Sequence, residues 1–106
     1  MINNKILGLL GLSAKAGKIC FGADSVEMEI KKGKVYLVIV AEDSSEKTKN
    51  KIKKLCEEKN IQIIIYEKID NISKAIGKSN KAIIGIKDSN IANQIAKIYN
   101  GGDSIG

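Results

Sequence analysis

The run VYLVIVA, Val35 to Ala41, decides the fold. It is continuously apolar and rich in β-branched side chains, the mark of a strand covered on both faces. Two further runs have the same character, IQIIIY from Ile61 to Tyr66 and KAIIGIK from Lys81 to Lys87. Together they predict the central strands of one sheet. A strand buried on both sides needs a layer of helices above and below it, and the segments between the runs have the periodicity to supply them.

Between the first two runs, SEKTKNKIKKLCEEKN places Thr48, Ile52, Leu55 and Cys56 at i, i+4, i+7 and i+8, one apolar stripe on a lysine-rich helix. Ser45 is its expected N-cap. Upstream, FGADSVEMEIKKG reads as a helix from about Asp24 to Lys32, stopped by Gly33 and preceded by a short extended segment from Lys18 to Phe21. Earlier still, Ile6, Leu7, Leu9, Leu10 and Leu12 repeat with helical spacing from Asn3 to about Lys15, and Gly17 stands at the C-terminal glycine position. Gly8 and Gly11 weaken that helix by up to about 1 kcal/mol each, so they are expected to admit another backbone at close range. A shorter helix is expected from Asp70 to Ile76, ended by Gly77, and a last one from Ser89 to about Tyr99. The order helix, short strand, helix, strand, helix, strand, helix, strand, helix predicts an α/β/α sandwich, with residues 1–106 as one undivided domain.

With 106 residues, 43% of them apolar, the chain suits one core. All eighteen basic residues are lysine, and twelve acids leave a net charge of +6. The excess points to a polyanionic partner, with plain solvation of a Lys/Ile-rich surface as the alternative. Lysine meets phosphate as a point charge and lacks arginine's planar fork, so base readout has to come from other groups. Aromatic rings are confined to Phe21, Tyr36, Tyr66 and Tyr99, and Tyr36 and Tyr66 fall inside strand runs. That argues against a binder that stacks successive bases on exposed rings. Cys20 and Cys56 form no CxxC and the chain has no histidine, which excludes a zinc site and suggests two buried thiols of a cytosolic protein. No apolar run approaches the roughly 18 residues of a membrane span and no signal-peptide pattern opens the chain. A soluble, cytoplasmic protein is expected.

Two lysine-glycine pairs resemble phosphate loops, and both fail on spacing. Gly77-Lys78-Ser79 has Ile72 where the first Walker glycine must stand. Gly11 to Gly17-Lys18 has one residue too many, and Ile19 follows where a hydroxyl must bind magnesium. No dinucleotide fingerprint follows a strand. Glu42-Asp43 could hold a ribose or a metal, or else open the loop before Ser45, where negative charge favours the next helix's N-terminus. Without histidine or paired carboxylates on separate elements, no catalysis, cofactor or metal is expected.

The remaining candidate is the face of the second helix. At about 100° per residue from Asp24, Val26 and Ile30 fall near about 200° and 240° and set the buried side. Asp24, Ser25, Met28, Lys31 and Lys32 share the opposite, exposed side. The helix N-terminus there offers free N–H groups and partial positive charge, suited to a phosphate or a base edge. Asp24 with Glu27 three residues on also has capping-box spacing, which accounts for Asp24 with no ligand.

Gly17-Lys18, Gly22-Ala23-Asp24-Ser25, Lys34 with Val38 through Asp43, Leu55 through Lys59, and Lys74 through Gly77 follow one another as blocks. In this order the chain resembles the kink-turn RNA-binding ribosomal protein family of archaeal and eukaryotic large subunits, and LLGLSAKAGK is most similar to its bacterial YlxQ-like branch. The resemblance implies a three-layer α/β/α sandwich with a mixed, mostly four-stranded sheet, no catalysis and no cofactor. It also implies docking on a sharply bent RNA through a G-x-N-E-x-x-K turn and helix. Gly22 matches the family glycine, while Asp24, Ser25 and Met28 stand at the asparagine, glutamate and lysine positions. An ionised Asp24 only accepts, and Met28 cannot meet phosphate, so altered specificity is expected unless Lys31 or Lys32 substitutes. The family's second contact, the loop before the last strand, corresponds to Gly77 through Lys81, with Ser44 and Ser45 expected on the same side. The expected site is therefore Lys18, Gly22, Asp24, Ser25, Met28, Lys31, Lys32, Lys78 and Lys81, acting in a monomer on structured RNA, ribosomal or otherwise kinked. The alternative is a protein-binding adaptor of the same fold, its lysines merely solvating, with an apolar patch centred on Met28.

Overall fold

A computed structural model describes residues 5–101. The three apolar runs and the short segment before the second helix form one mixed four-stranded sheet. Along the chain the elements are α1 (Lys5–Lys15), β1 (Ile19–Phe21), α2 (Ala23–Lys31), β2 (Leu37–Val40), α3 (Glu46–Glu58), β3 (Gln62–Ile65), α4 (Ile69–Ala75), β4 (Ile83–Ile86) and α5 (Ser89–Tyr99). The strand order is β1-β4-β2-β3, with β2 and β3 parallel and the β1–β4 and β2–β4 pairs antiparallel. Asn3 and Asn4 of the expected first helix lie outside the described residues.

The run from Val35 to Ala41 is covered on both sides, as its composition predicts, except at Tyr36, which precedes the strand and is exposed. Period-two alternation sends Leu37, Ile39 and Ala41 to one face and Val38 and Val40 to the other, where Val35, ahead of the strand, joins them out of that phase. On the first face they meet Ile6 and Leu10 of α1, Ile72 of α4 and Ala92 and Ile95 of α5. On the second they meet Val26 and Ile30 of α2 and Ile52 and Cys56 of α3. Each fully buried isoleucine or leucine contributes about 1.5–3 kcal/mol, so the two clusters supply the main stabilisation of the three layers. β3 departs from expectation: it is an edge strand, with Gln62 exposed and Ile63 and Ile65 only half-buried.

Close approach explains two glycines and not a third. A Cβ on Gly11 would lie 3.0 Å from the Ala75 carbonyl oxygen, which lets α1 pack on α4. One on Gly85 would lie 2.7 Å from Cys20 Sγ, so β4 needs glycine where it pairs with β1. Gly8, expected to serve like Gly11, faces open space.

The lysine-glycine pairs are helix stops. Gly17, Gly33 and Gly77 have φ of 71°, 75° and 72°. In each case the N–H of the following lysine reaches back into the helix: Lys18 to the Ser13 carbonyl at 2.9 Å, Lys34 to Glu29 at 3.0 Å, and Lys78 to Ser73 at 2.8 Å. Those donors are consumed by the helix ends and cannot ring a phosphate.

Candidate nucleic-acid interface

β1 ends at Phe21, and Gly22 turns the chain into α2 with φ 89° and ψ 146°, a conformation that side chains resist. The Gly22 N–H donates to the Ile83 carbonyl at 2.9 Å and its carbonyl accepts from Val26 N–H at 3.0 Å. One residue thus anchors the sheet edge and starts the helix. The expected Asp24 capping box does not form. The helix begins at Ala23 with Gly22 as its N-cap and no side-chain cap hydrogen bond, so Asp24 lies inside the first turn. Glu27 turns instead towards α3 and pairs with Lys51 at 3.3 Å. The N–H groups of that first turn therefore have no side-chain acceptor, and the end keeps its partial positive charge. Asp24, Ser25 and Met28 are exposed, while Val26 and Ile30 are buried, as the helical phase predicts.

The loop from Ile76 to Ala82 packs against the same end of β1. Ser73 latches it: its Oγ accepts from Lys81 N–H at 2.8 Å and donates to the Lys81 carbonyl at 3.3 Å. Lys78 and Lys81 then hold their ammonium groups 5.3 and 5.4 Å from the centroid of the Phe21 ring. The ring's electron-rich face attracts both cations and restrains two otherwise free side chains. Neither makes an ion pair with a described residue.

The nine expected residues do not form one cluster. Gly22, Asp24, Ser25, Lys78 and Lys81 gather around the end of β1, with Met28 one turn along α2. Lys18 lies at the other end of β1, roughly 13 Å away at strand rise, where it faces Asp88 at 3.9 Å. Lys31 and Lys32 lie at the far end of α2, about 14 Å along its axis, and Lys32 pairs with Glu29 at 3.7 Å. Ser44 is buried and its hydroxyl finds no partner among the described residues. Ser45 caps α3, accepting from Thr48 N–H at 3.1 Å, as expected.

The acids after β2 serve a different helix from the one anticipated. Asp43 Oδ1 accepts from Ile69 N–H at 2.8 Å, capping α4, and Glu42 pairs with Lys68 at 3.4 Å. They clasp the start of α4 instead of favouring α3. Among the described residues no group of histidine, cysteine or acidic side chains could hold a metal ion. Burial pushes both thiols up, that of Cys56 to about 11, which disfavours the reactive thiolate. Among the described residues no helix is long and apolar enough to cross a membrane. Phe21 is the residue that sequence reasoning missed; a single aromatic in a three-residue strand carries no periodic signal, and only the fold reveals the two lysines upon it.

Comparison with known proteins agrees with this architecture. The profile of the Ribosomal protein L7Ae/L30e/S12e/Gadd45 family matches residues 4–96. The chain is 30% identical to the RNA-binding protein YlxQ of Bacillus subtilis over 93 residues, covering 85% of this chain and 90% of that one. It is 27% identical to the large ribosomal subunit protein eL8 of Thermoplasma acidophilum, over 82% of this chain and 73% of that protein. A solved structure of a Bacillus halodurans protein of unknown function superposes with a TM-score of 0.90 at 31% identity, covering 92% of this chain and 99% of that one. The match along nearly the whole described fold places this chain in the Ribosomal protein L7Ae/L30e/S12e/Gadd45 family.

Proposed function

We propose that this chain is a small, non-catalytic, ribosomal-protein-like RNA-binding protein that recognises structured RNA at the β1 edge. The observation that carries the reading is the uncapped N-terminus of α2, entered through Gly22, beside the two ammonium groups that Phe21 holds. A phosphate reaching that corner meets backbone donors and two cations that are paired with no described acid, against the opposing charge of Asp24 in the first turn. The relatives named for RNA binding and for the large ribosomal subunit support the same assignment. Asp24, Ser25 and Met28 line the exposed face without an amide donor or a cation, so preference for a standard kink-turn is reduced relative to affinity for bent RNA in general. Ribosomal RNA is the partner class that this reading favours.

A gel-shift and salt titration on a kink-turn RNA and on a variant with its G·A pairs disrupted tests it. Binding to both, weakening steeply with salt and differing less than about tenfold between them, is the expected result. Failure to bind either at low salt sinks the reading and leaves Met28, 53% exposed, as a contact for a protein partner.

A further inference from the structure

The β3 edge carries backbone groups that no other element of the fold pairs. Tyr66 N–H donates to the Val40 carbonyl at 2.9 Å, and along a parallel ladder the direction of such groups alternates from residue to residue. Gln62, Ile64 and Tyr66 therefore turn their backbone groups towards β2, while Ile63 and Ile65 turn theirs outwards, where they meet no partner among the described residues. We infer that a second copy of this chain pairs with this edge, its β3 antiparallel to the first, so that two four-stranded sheets become one continuous sheet. A dimer then replaces the monomer expected from the sequence. This pairing is independent of what the β1 edge binds.

The register follows from the two outward residues. About a two-fold axis at Ile64, Ile63 of each copy lies opposite Ile65 of the other, and each such pair exchanges both of its backbone hydrogen bonds. The two side chains lie on the face shared with α2 and α3, where each is only half-buried within one copy, so pairing covers both. Gln62–Ile65 contains no lysine and no proline, two devices that keep edge strands apart. Charge favours the same contact. The two-fold sets Glu57, Glu58 and Lys59 of one copy against Glu67 and Lys68 of the other, so a chain of net charge +6 meets its copy where its surface has no lysine excess. An RNA strand does not fit this edge, because its phosphates offer acceptors only and leave the outward carbonyls unpaired. The Phe21 corners stay free at the two ends of the joined sheet, roughly 34 Å apart at strand spacing. A four-residue strand makes a small contact, so a dissociation constant on the order of 100 μM is expected.

Sedimentation equilibrium from about 5 μM to about 1 mM, in about 0.15 M salt to screen the net charge, measures the association. The weight-average mass is expected to rise about 1.7-fold across that range. Hydrogen exchange on the same samples locates the contact. The Ile63 and Ile65 amides are expected to slow about fivefold between the dilute and the concentrated sample. Ile19 and Phe21, whose amides face outwards on β1, should keep one rate. Ile63→Lys puts a charge on the edge while its methylene stem keeps packing on the cluster, and a variant that melts like the parent should remain monomeric throughout. The exchange readout on the parent needs no substitution and decides the outcome where that variant is unstable. A constant mass up to about 1 mM overturns the inference. So does a rising mass with β3 amides that do not slow, or a folded Ile63→Lys variant that still associates. None of these samples contains RNA, so their outcome is separate from that of the gel-shift.

Discussion

The two edges of the sheet perform the same structural task with different arrangements of charge. β1 and β3 each end the hydrogen-bonded array and leave backbone groups without a strand partner. Around β3 the charges are mixed: Glu57, Glu58 and Lys59 precede it, Glu67 follows and accepts from Asn71 Nδ2 at 2.8 Å, and Lys68 pairs with Glu42. Tyr66 packs its ring edge-on to Tyr99 at 6.4 Å, tying that side to α5. Around β1, Lys15, Lys74, Lys78 and Lys81 have no acidic partner among the described residues, while Lys18 faces Asp88 at 3.9 Å and Asp24 stands exposed in the first turn of α2. Lys53, Lys54 and Lys59, on and just after α3, likewise have no acidic partner among the described residues, so the contrast lies in how Phe21 gathers Lys78 and Lys81 and not in the net charge of +6. A bare edge strand would invite another strand; a lysine-lined one discourages that pairing and attracts a polyanion.

The largest effect is expected from detaching the β1 edge. Gly85→Val places a branched side chain where even a Cβ would be 2.7 Å from Cys20 Sγ and 3.4 Å from both Val35 methyls. Overpacking there should cost about 3 kcal/mol and loosen β1 preferentially. Urea unfolding with hydrogen exchange on the amides of β1 and β3 checks it. Equal loss of protection at both edges would mean that the sheet responds as one body.

Next in size is the electrostatic contrast. Reversing Lys78 and Lys81 together to glutamate changes four units of charge at the corner beside Gly22 and should weaken RNA binding about 100-fold. The same reversal at Lys54 of α3 and Lys59, which leads into β3, should change it by no more than about threefold. Comparable losses from the two pairs would reduce the polarity of the surface to bulk charge. Between these in mechanism and smaller in size is Gly22→Ala. At φ 89° a side chain is strained, which should cost about 1–2 kcal/mol of stability and tilt the start of α2 away from the two ammonium groups. Circular dichroism melts and RNA titrations on this variant separate the strain from the contact: a stable variant with unimpaired affinity would show that the turn is not part of the interface.

How far the sequence carries this contrast is uneven. The three strand runs, the α3 stripe with its Ser45 cap, and the glycine at the end of each of the first, second and fourth helices are all local patterns, and each appears where periodicity places it. The edge position of β3 is not local. IQIIIY is as apolar as VYLVIVA, and only the strand order reveals that one is interior and the other marginal. Asp43 illustrates the same limit. Its partner is the N–H of Ile69, 26 residues away, whereas the sequence suggests the helix that follows immediately. For the candidate site, the exposed face of α2 is legible from helical phase, and Gly22 from its place before the helix. The gathering of Lys78 and Lys81 on Phe21 depends on β1 lying beside β4, whose paired Cys20 and Gly85 are 65 positions apart, a separation that no spacing rule encodes.

The smallest effect concerns the ion pair that fastens α2 behind the β1 edge. Glu29 Oε1 lies 2.9 Å from Lys87 Nζ, and Lys32 Nζ lies 3.7 Å from Glu29 Oε2. The hydrogen bond from Lys87 holds the Glu29 carboxyl below its ordinary value of 4.5, and the same bond holds Lys87 above its own ordinary value of 10.5. A carboxyl with a lowered folded-state pKa binds its proton more readily when unfolded. Its contribution is therefore present above about pH 5 and is lost as the pH falls through the lowered value. For Lys87 the sign reverses: its contribution is present below its ordinary value and is lost as the pH rises through the raised one. Glu29→Gln should then flatten the acid limb of stability against pH and shift the neutral urea midpoint only slightly, because the pair is near solvent. A Glu29→Gln variant whose acid limb runs parallel to the parent's would show that the pair does not fasten α2, and that the hydrogen bond from Gly22 N–H to the Ile83 carbonyl holds the edge without it.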